Sequence, residues 1–207
     1  MATTRIIPMH GNKGKTIAQC LKARTDYAKN PDKTDGGVLV SSYACDPETV
    51  DAEFLLSKQE YRALTGRTQK RDVIAYQLRQ SFLPGEITPE EANRLGQELA
   101  QRFTKGDHAY IVCTHIDKKH VHNHIIWNSV SLDCDRKFCN FWGSSKAIRR
   151  LNDTICIENG YSIVEHPQRH GKSYDQWLGD QKPPTHRERL CMAIDHALEQ
   201  KPADFDA

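Results

Sequence analysis

Apolar and polar positions along this chain switch repeatedly between a spacing of two and a spacing near 3.6. Thr4–His10 reads as a short strand. Thr16 and Gln19 stand at capping-box spacing ahead of Ile17, Cys20 and Leu21, which predicts a helix running out near Asn30-Pro31. Val38–Cys45 reads as a strand behind the Gly36-Gly37 turn, and Asp51–Leu64 as a helix stopped by Gly66. Asp72–Phe82 is predicted to be a strand. Thr88-Pro89-Glu90-Glu91 combines an N-cap, a proline at the first helical position and a glutamate at N3, and Ala92, Leu95, Leu99 and Phe103 mark the buried face that follows. Ala109–Asp117 and His120–Leu132 read as two strands joined by a tight turn at Lys118-Lys119. Ser145–Asn159 reads as a helix and Tyr161–Glu165 as a further strand.

Strands and helices interleave, yet a hairpin is evident and several connections are short. The pattern therefore predicts an α+β fold, a central and mostly antiparallel sheet of about five strands flanked by helices. After Glu165 the character changes. His166–Pro184 is polar, with Gly, Pro and His, and reads as a linker, and Thr185–Gln200 as an isolated helix. The expected organisation is a domain over 1–165 and a linker with a C-terminal helix over 166–207, the start of a further region.

Composition bounds this picture without choosing a function. The 207 residues, 38% of them apolar, suffice for one ordinary core. A formal charge of +2 is too weak to announce nucleic-acid binding, so such a claim must rest on local patches. No apolar run approaches the ~20 residues of a membrane span, and the polar start has no signal-peptide core. Seven scattered cysteines without a C-x-x-C pair argue for a reduced, cytoplasmic protein rather than a disulfide scaffold.

The candidate chemistry concentrates in one hairpin. Five of the ten histidines (108, 115, 120, 122 and 124) fall within seventeen residues. Alternation along a strand puts His120, His122, His124 and Asn128 on one face, with Val121, Ile125 and Trp127 on the other, the face expected under helices. With Lys118-Lys119 as a two-residue turn, Asp117 pairs with His120 and His115 lies opposite His122. Directly opposed Cβ atoms stand about 5 Å apart and diagonal ones about 7–8 Å, so His115, His122 and His124 can converge on one metal ion. Three imidazoles leave coordination positions open, as catalysis requires, whereas a structural zinc site closes with four ligands. Asp117 can fix a ring tautomer as an acceptor behind the ligands. His120 is open between a fourth ligand, a DNA contact and a turn residue.

The H-x-D…H-x-H-x-x-x-N pattern of His115, Asp117, His122, His124 and Asn128 resembles the third motif of mobilisation relaxases of the HUH endonuclease superfamily, in particular the P-type mobilisation class of conjugative elements. The resemblance spans roughly residues 1–165. It implies a central antiparallel sheet whose middle strands carry the histidine triad. It also implies a nucleophilic tyrosine near the N-terminus. Arg24-Thr25-Asp26-Tyr27-Ala28-Lys29-Asn30-Pro31-Asp32-Lys33-Thr34 resembles that motif and nominates Tyr27, with Tyr43 as its rival. The implied activity is metal-dependent nicking of one DNA strand at an origin of transfer through a 5′-phosphotyrosine link, with strand transfer that starts conjugation or mobilisation. The implied cofactor is a divalent ion, Mg²⁺ or Mn²⁺, other transition metals also suiting three histidines. The implied partners are single-stranded origin DNA with an adjacent hairpin and accessory relaxosome proteins.

Two alternatives stand beside this reading. A rolling-circle replication initiator of the same superfamily usually places its tyrosine after the histidines, where Tyr161 and Tyr174 lack a matching surround. A non-catalytic DNA-binding module with structural zinc predicts a fourth tight ligand, and leaves the Tyr27 segment unexplained. Basic clusters at Arg67–Arg71, Lys118-Lys119 and Lys146–Arg150 suit phosphate contacts. His10–Thr16 is not a P-loop, because Met9 stands where that loop needs its first glycine.

Overall fold

A computed structural model describes residues 2–68, 72–165 and 186–199. The chain separates into two compact units, Met1–Glu165 and His166–Ala207. In the first, five strands form one antiparallel sheet in the order β1-β3-β5-β4-β2. The strands are β1 (Thr3–His10), β2 (Val40–Tyr43), β3 (Val73–Ser81), β4 (Tyr110–His115) and β5 (His122–Asn128). The helices are α1 (Ile17–Lys29), α2 (Val50–Thr65), α3 (Pro89–Thr104) and α4 (Ser144–Glu158). In the second unit, His186–Glu199 forms helix α5. The α+β class with an antiparallel sheet is as expected. Among the described residues no helix is long and apolar enough to cross a membrane.

Local signals account for the helix ends. Thr16 and Gln19 form a complete capping box at the start of α1. Thr88 caps α3 through its hydroxyl, with Pro89 in the first turn. Gly66 ends α2 in the left-handed conformation that a Cβ would strain.

Helices cover both faces of the sheet. On one face α3 and α4 set Leu95, Leu99, Ile148 and Ile155 against Leu78, Val112, Ile125 and Trp127. On the other, α1 and α2 set Leu21, Ala28, Val50 and Phe54 against Ile74, Ile111, Cys113 and Ile126. Each large side chain removed from water in this way contributes about 1.5–3 kcal/mol. The sequence pattern gave helices to the Ile125–Trp127 face alone. The histidine face carries Ile126 as well, and it lies under α1 and α2 except at the end where the histidines stand.

Three expectations need correction. Val38–Cys45 contributes only Val40–Tyr43 to the sheet, because Leu39 N–H bonds back to Thr34 in a series of turns and Ala44 takes a positive φ of 54°. Lys118-Lys119 is not a two-residue turn: the ladder ends at His115 and His122, and a six-residue loop joins them. Tyr161–Glu165 is not a strand. Tyr161 N–H returns to the Cys156 carbonyl, Ser162 N–H donates to the Glu86 carboxylate, and Tyr161 and Ile163 pack on the core as an irregular segment. The linker expected over His166–Pro184 lies outside the described residues.

Candidate active site

The two central strands, β4 and β5, carry three histidines to one end of the sheet. His115 pairs directly with His122, and His124 sits two residues further along the same face. The His115–His122 pairing is the one expected from a two-residue turn at Lys118-Lys119, although that turn is absent and a longer loop keeps the same register. One ring nitrogen from each of His115, His122 and His124 lies within 4.8 Å of the others. The ring centroids are 4.4 Å (115–124), 5.2 Å (115–122) and 5.3 Å (122–124) apart.

Asn123, between the two ligating positions of β5, faces the other way and holds the register. It is fully buried. Its amide nitrogen donates to the Ala92 carbonyl at 2.6 Å and to Gln80 Oε1 at 2.8 Å, and its oxygen accepts from Thr114 Oγ1 at 2.7 Å. A slip of one residue would orphan these groups and turn the histidines away. Asn128, the last residue of the motif, turns the chain after β5 by accepting from Val130 N–H at 3.1 Å, at the end of the strand away from His115, His122 and His124.

Hydrogen bonds tie up one nitrogen of each ring. His115 Nε2–H donates to the Ala28 carbonyl at 2.8 Å, so Nδ1 carries the lone pair, and that Nδ1 is buried with no hydrogen-bond partner. His122 Nδ1–H points to the His120 carbonyl at 3.4 Å. His124 Nδ1 contacts the side-chain amide of Gln77 on β3. The amide nitrogen of Gln77 makes that contact; rotating the amide by 180° brings its oxygen there instead, where it accepts Nδ1–H and leaves His124 Nε2 free for a metal. Burial lowers the pKa of all three histidines, and for His124 burial and the neighbouring His115 and His122 bring it to about 3. The three rings are thus neutral at pH 7, each held by a partner and each with one nitrogen to give, which is what a divalent ion requires of imidazole ligands. Among the described residues the group has three members, so coordination positions stay open for another ligand.

Tyr27 stands over this group. The last turn of α1 buries Thr25 and Ala28, which leaves the Tyr27 ring about half exposed (52%) beside the sheet end. Its centroid lies 5.8 Å from that of His115 and 5.7 Å from that of His124. Tyr43, the rival, sits at the opposite end of β4, stacked on Tyr110 at 5.3 Å. Five residues of strand, about 17 Å, separate that end from His115.

Asp117 lies at the rim. Among the described residues it bonds no histidine; instead it pairs with Lys33 at 3.5 Å. Loss of hydration is the largest single effect and raises its pKa, but the charges of Lys33 and Lys118, with His115 and His122, together hold the carboxyl below the ordinary range. Lys33 also stands 4.3 Å from the centroid of the Tyr27 ring. The turns after α1 place it there, and Ile116 N–H donates to its carbonyl at 2.9 Å. Lys33 and Gln77 were missed as site residues. Lys33 lies inside the segment that nominated Tyr27, so its position was a usable signal. Gln77 gave none, being one polar residue of a strand 47 positions from its partner. His120 has its ring 5.1 Å from that of His122 but is not a member of the cluster, and His108 is buried elsewhere, at the far end of β5. Tyr174 lies outside the described residues, as does part of the Arg67–Arg71 cluster.

A cavity of about 370 Å³ opens beside the histidines, lined by His122, His124 and Tyr27 among others. It is the space in which a substrate would meet both the triad and the tyrosine.

Comparison with known proteins agrees with this geometry. The family profile described as "Relaxase: MobA/VirD2-like, nuclease domain" matches residues 27–161. Protein rlx of Staphylococcus aureus is 38% identical over 125 residues, covering 60% of this chain and 38% of that protein. The group II intron-interrupted relaxase LtrB of Lactococcus lactis subsp. cremoris is 27% identical over 209 residues, covering 84% of this chain and 36% of the relative. The chain thus spans less than two fifths of the length of these relatives. Among solved structures, the MobM relaxase domain bound to plasmid pMV158 oriT DNA, in a Mn-bound crystal, superposes with a TM-score of 0.60 at 11% identity, over 86% of this chain and 98% of that one. A structure concerned with vancomycin resistance transfer in Staphylococcus aureus superposes with a TM-score of 0.50 at 15% identity, over 79% and 96%. These last two show a shared fold. On its sequence match, the chain belongs to the MobA/VirD2-like relaxases, as a nuclease domain.

Proposed function

We propose that this chain nicks one DNA strand at an origin of transfer, in a metal-dependent reaction with Tyr27 as nucleophile, and so starts conjugative transfer or mobilisation. The observation that carries the reading is the Tyr27 ring within 6 Å of two rings of a three-histidine group whose buried His115 Nδ1 has no hydrogen-bond partner. His115, His122 and His124 hold the ion, Mg²⁺ or Mn²⁺ by analogy with the family. When bound there, the ion polarises the phosphate oxygens and offsets the charge that builds on them.

The other steps belong to the chain. The Tyr27 phenol oxygen attacks the scissile phosphorus in line. The bond from phosphorus to the 3′ oxygen breaks, the phenol proton is lost, and the leaving 3′ oxygen is protonated. The products are a 5′-phosphotyrosine and a free 3′-hydroxyl, and retention of the ester bond permits later rejoining. Lys33 stands where a cation favours negative charge on the phenol oxygen, and Asp117 holds Lys33 in that place. We assign this chemistry to residues 1–165. Accessory relaxosome proteins and a hairpin beside the nick are part of the same proposal.

The test is a denaturing gel with labelled single-stranded oligonucleotides tiled across the transfer region of the element that encodes the protein. The strands are incubated with Mn²⁺, with chelator, and with Tyr27→Phe. A metal-dependent covalent adduct that vanishes in Tyr27→Phe is the expected result. An adduct that survives the substitution moves the nucleophile elsewhere. No adduct on any tiled strand, with metal tightly held, overturns the nicking reading in favour of a structural ion.

A further inference from the structure

A row of side chains crosses the sheet from the triad to its edge. His124 on β5 is paired with Arg79 on β3, and Arg79 is paired with Arg5 on β1. Directly paired residues in neighbouring strands share a face, so both guanidinium groups lie on the face of His124. Adjacent strands are about 4.8 Å apart, which puts Arg79 one strand and Arg5 two strands from the triad.

Two like charges directly opposed in a sheet are destabilising unless something of opposite charge sits between them. Among the described residues nothing does. Both arginines are exposed, and among the described residues neither has an ion pair or a hydrogen bond. Both line the cavity that also holds Tyr27, His122 and His124. Lys118 also lines the wall, but it stands 3.9 Å from the Asp117 carboxylate; among the described residues no Asp or Glu lines the cavity. Lys33, the other cation beside Tyr27, shares that Asp117 carboxylate with Lys118. The acid-free side of the cavity is therefore the side of the arginine pair.

The geometry points to a second phosphate subsite: Arg5 and Arg79 together grip a backbone phosphate of the DNA strand next to the scissile one, and so set where along the strand Tyr27 cuts. The inference rests on the nicking reading above. Guanidinium suits the task, because its fork of donors meets phosphate oxygens in pairs where an ammonium offers only a point charge. A strand held this way runs from the triad across β3 towards the β1 edge, without any base-specific contact from these two residues.

The experiment uses Arg5→Gln, Arg79→Gln and the double variant, with binding read by fluorescence anisotropy across a range of salt. The probe is a labelled single-stranded 30-mer spanning the nick site, and the same strand is remade with one phosphate at a time replaced by uncharged methylphosphonate. In the double variant the slope of log Kd against log salt is expected to fall by about 0.7, the share of one single-strand phosphate contact. At one position beside the nick, methylphosphonate is expected to weaken the wild type about tenfold and to leave the double variant unaffected. Cleavage by the double variant is expected to spread to neighbouring phosphodiesters. An unchanged salt slope, or arginine and methylphosphonate effects that simply add at every position, overturns the subsite while leaving the nicking reading intact. If the wild type forms no Tyr27 adduct on any strand, the nicking reading itself has failed. The salt slope on an oligo-dT 20-mer then decides the subsite: a slope lowered in the double variant sustains phosphate binding by the pair, and an unchanged one ends it. Both side chains are exposed, so urea unfolding midpoints matching the wild type separate these outcomes from misfolding.

Discussion

The side-chain amide of Asn123 lies against Gly96, its nitrogen 2.6 Å from where a β-carbon on that glycine would stand. Val112 closes the same space at 2.8 Å. Helix α3 can therefore approach β5 only because it has no side chain at that position. Gly96→Ala gains about 1 kcal/mol of helix propensity. It also forces α3 off the sheet or breaks the Asn123 hydrogen bonds, and overpacking of this kind costs about 1–3 kcal/mol. Urea unfolding is expected to show a net loss of stability. A variant more stable than the wild type would mean that α3 shifts freely.

Gln77 holds one nitrogen of His124, and removal of such a support typically weakens metal binding about 10- to 100-fold. Gln77→Ala is expected to raise the Mn²⁺ dissociation constant by that factor in calorimetric titration. Nicking should recover in part at high Mn²⁺. Unchanged affinity would make the contact mere packing.

Lys33 presents the cation beside Tyr27. Lys33→Met is expected to slow single-turnover adduct formation about 10- to 100-fold with DNA affinity changed little, because the charge acts on the phenol oxygen as it reacts. Lys33→Arg should restore part of the rate. A variant whose affinity falls while its rate is kept would show Lys33 to be a DNA contact instead.

Acid should destabilise the metal-free domain in a definable range. Burial depresses the folded-state pKa of His108, His115, His122 and His124, the last to about 3. Below pH 6.5 the unfolded chain takes up protons that the folded chain refuses, so stability falls with pH, down to about pH 3 for His124. Thermal unfolding midpoints from pH 7.5 to 4 should decline steadily, and His124→Gln should flatten the decline. An equally steep decline in that variant would place the effect elsewhere.

The elements that could be read from sequence were those whose cause is local. The capping box of Thr16 and Gln19, the Thr88 cap and the stop at Gly66 involve neighbours within a turn or so of each other. The shared face of His122 and His124 was legible too, because alternation within one strand fixes it, whereas the His115–His122 pairing was reached through a two-residue turn that the structure replaces with a six-residue loop of the same register. Tyr161–Glu165 was misread because its alternation reflects packing on the core, while its backbone bonds go to Cys156 and Glu86. Asn123 was passed over as a spacer in the motif. Its partners lie on three other elements, and only the fold brings Thr114, Gln80 and Ala92 to it. Gln77 and the Arg5–Arg79 pair were invisible for the same reason: each depends on a strand partner more than 40 residues away.

One contact reaches beyond local geometry. The His115 ring donates to the carbonyl of Ala28, the residue after Tyr27. The tyrosine's helix end and the histidine group are therefore coupled thermodynamically, and such coupling runs equally in both directions. An ion held by His115 steadies the last turn of α1, and a ligand that fixes that turn tightens the ion by the same factor. Loading order then drops out of the energetics: metal first or strand first, the assembled state has the same free energy.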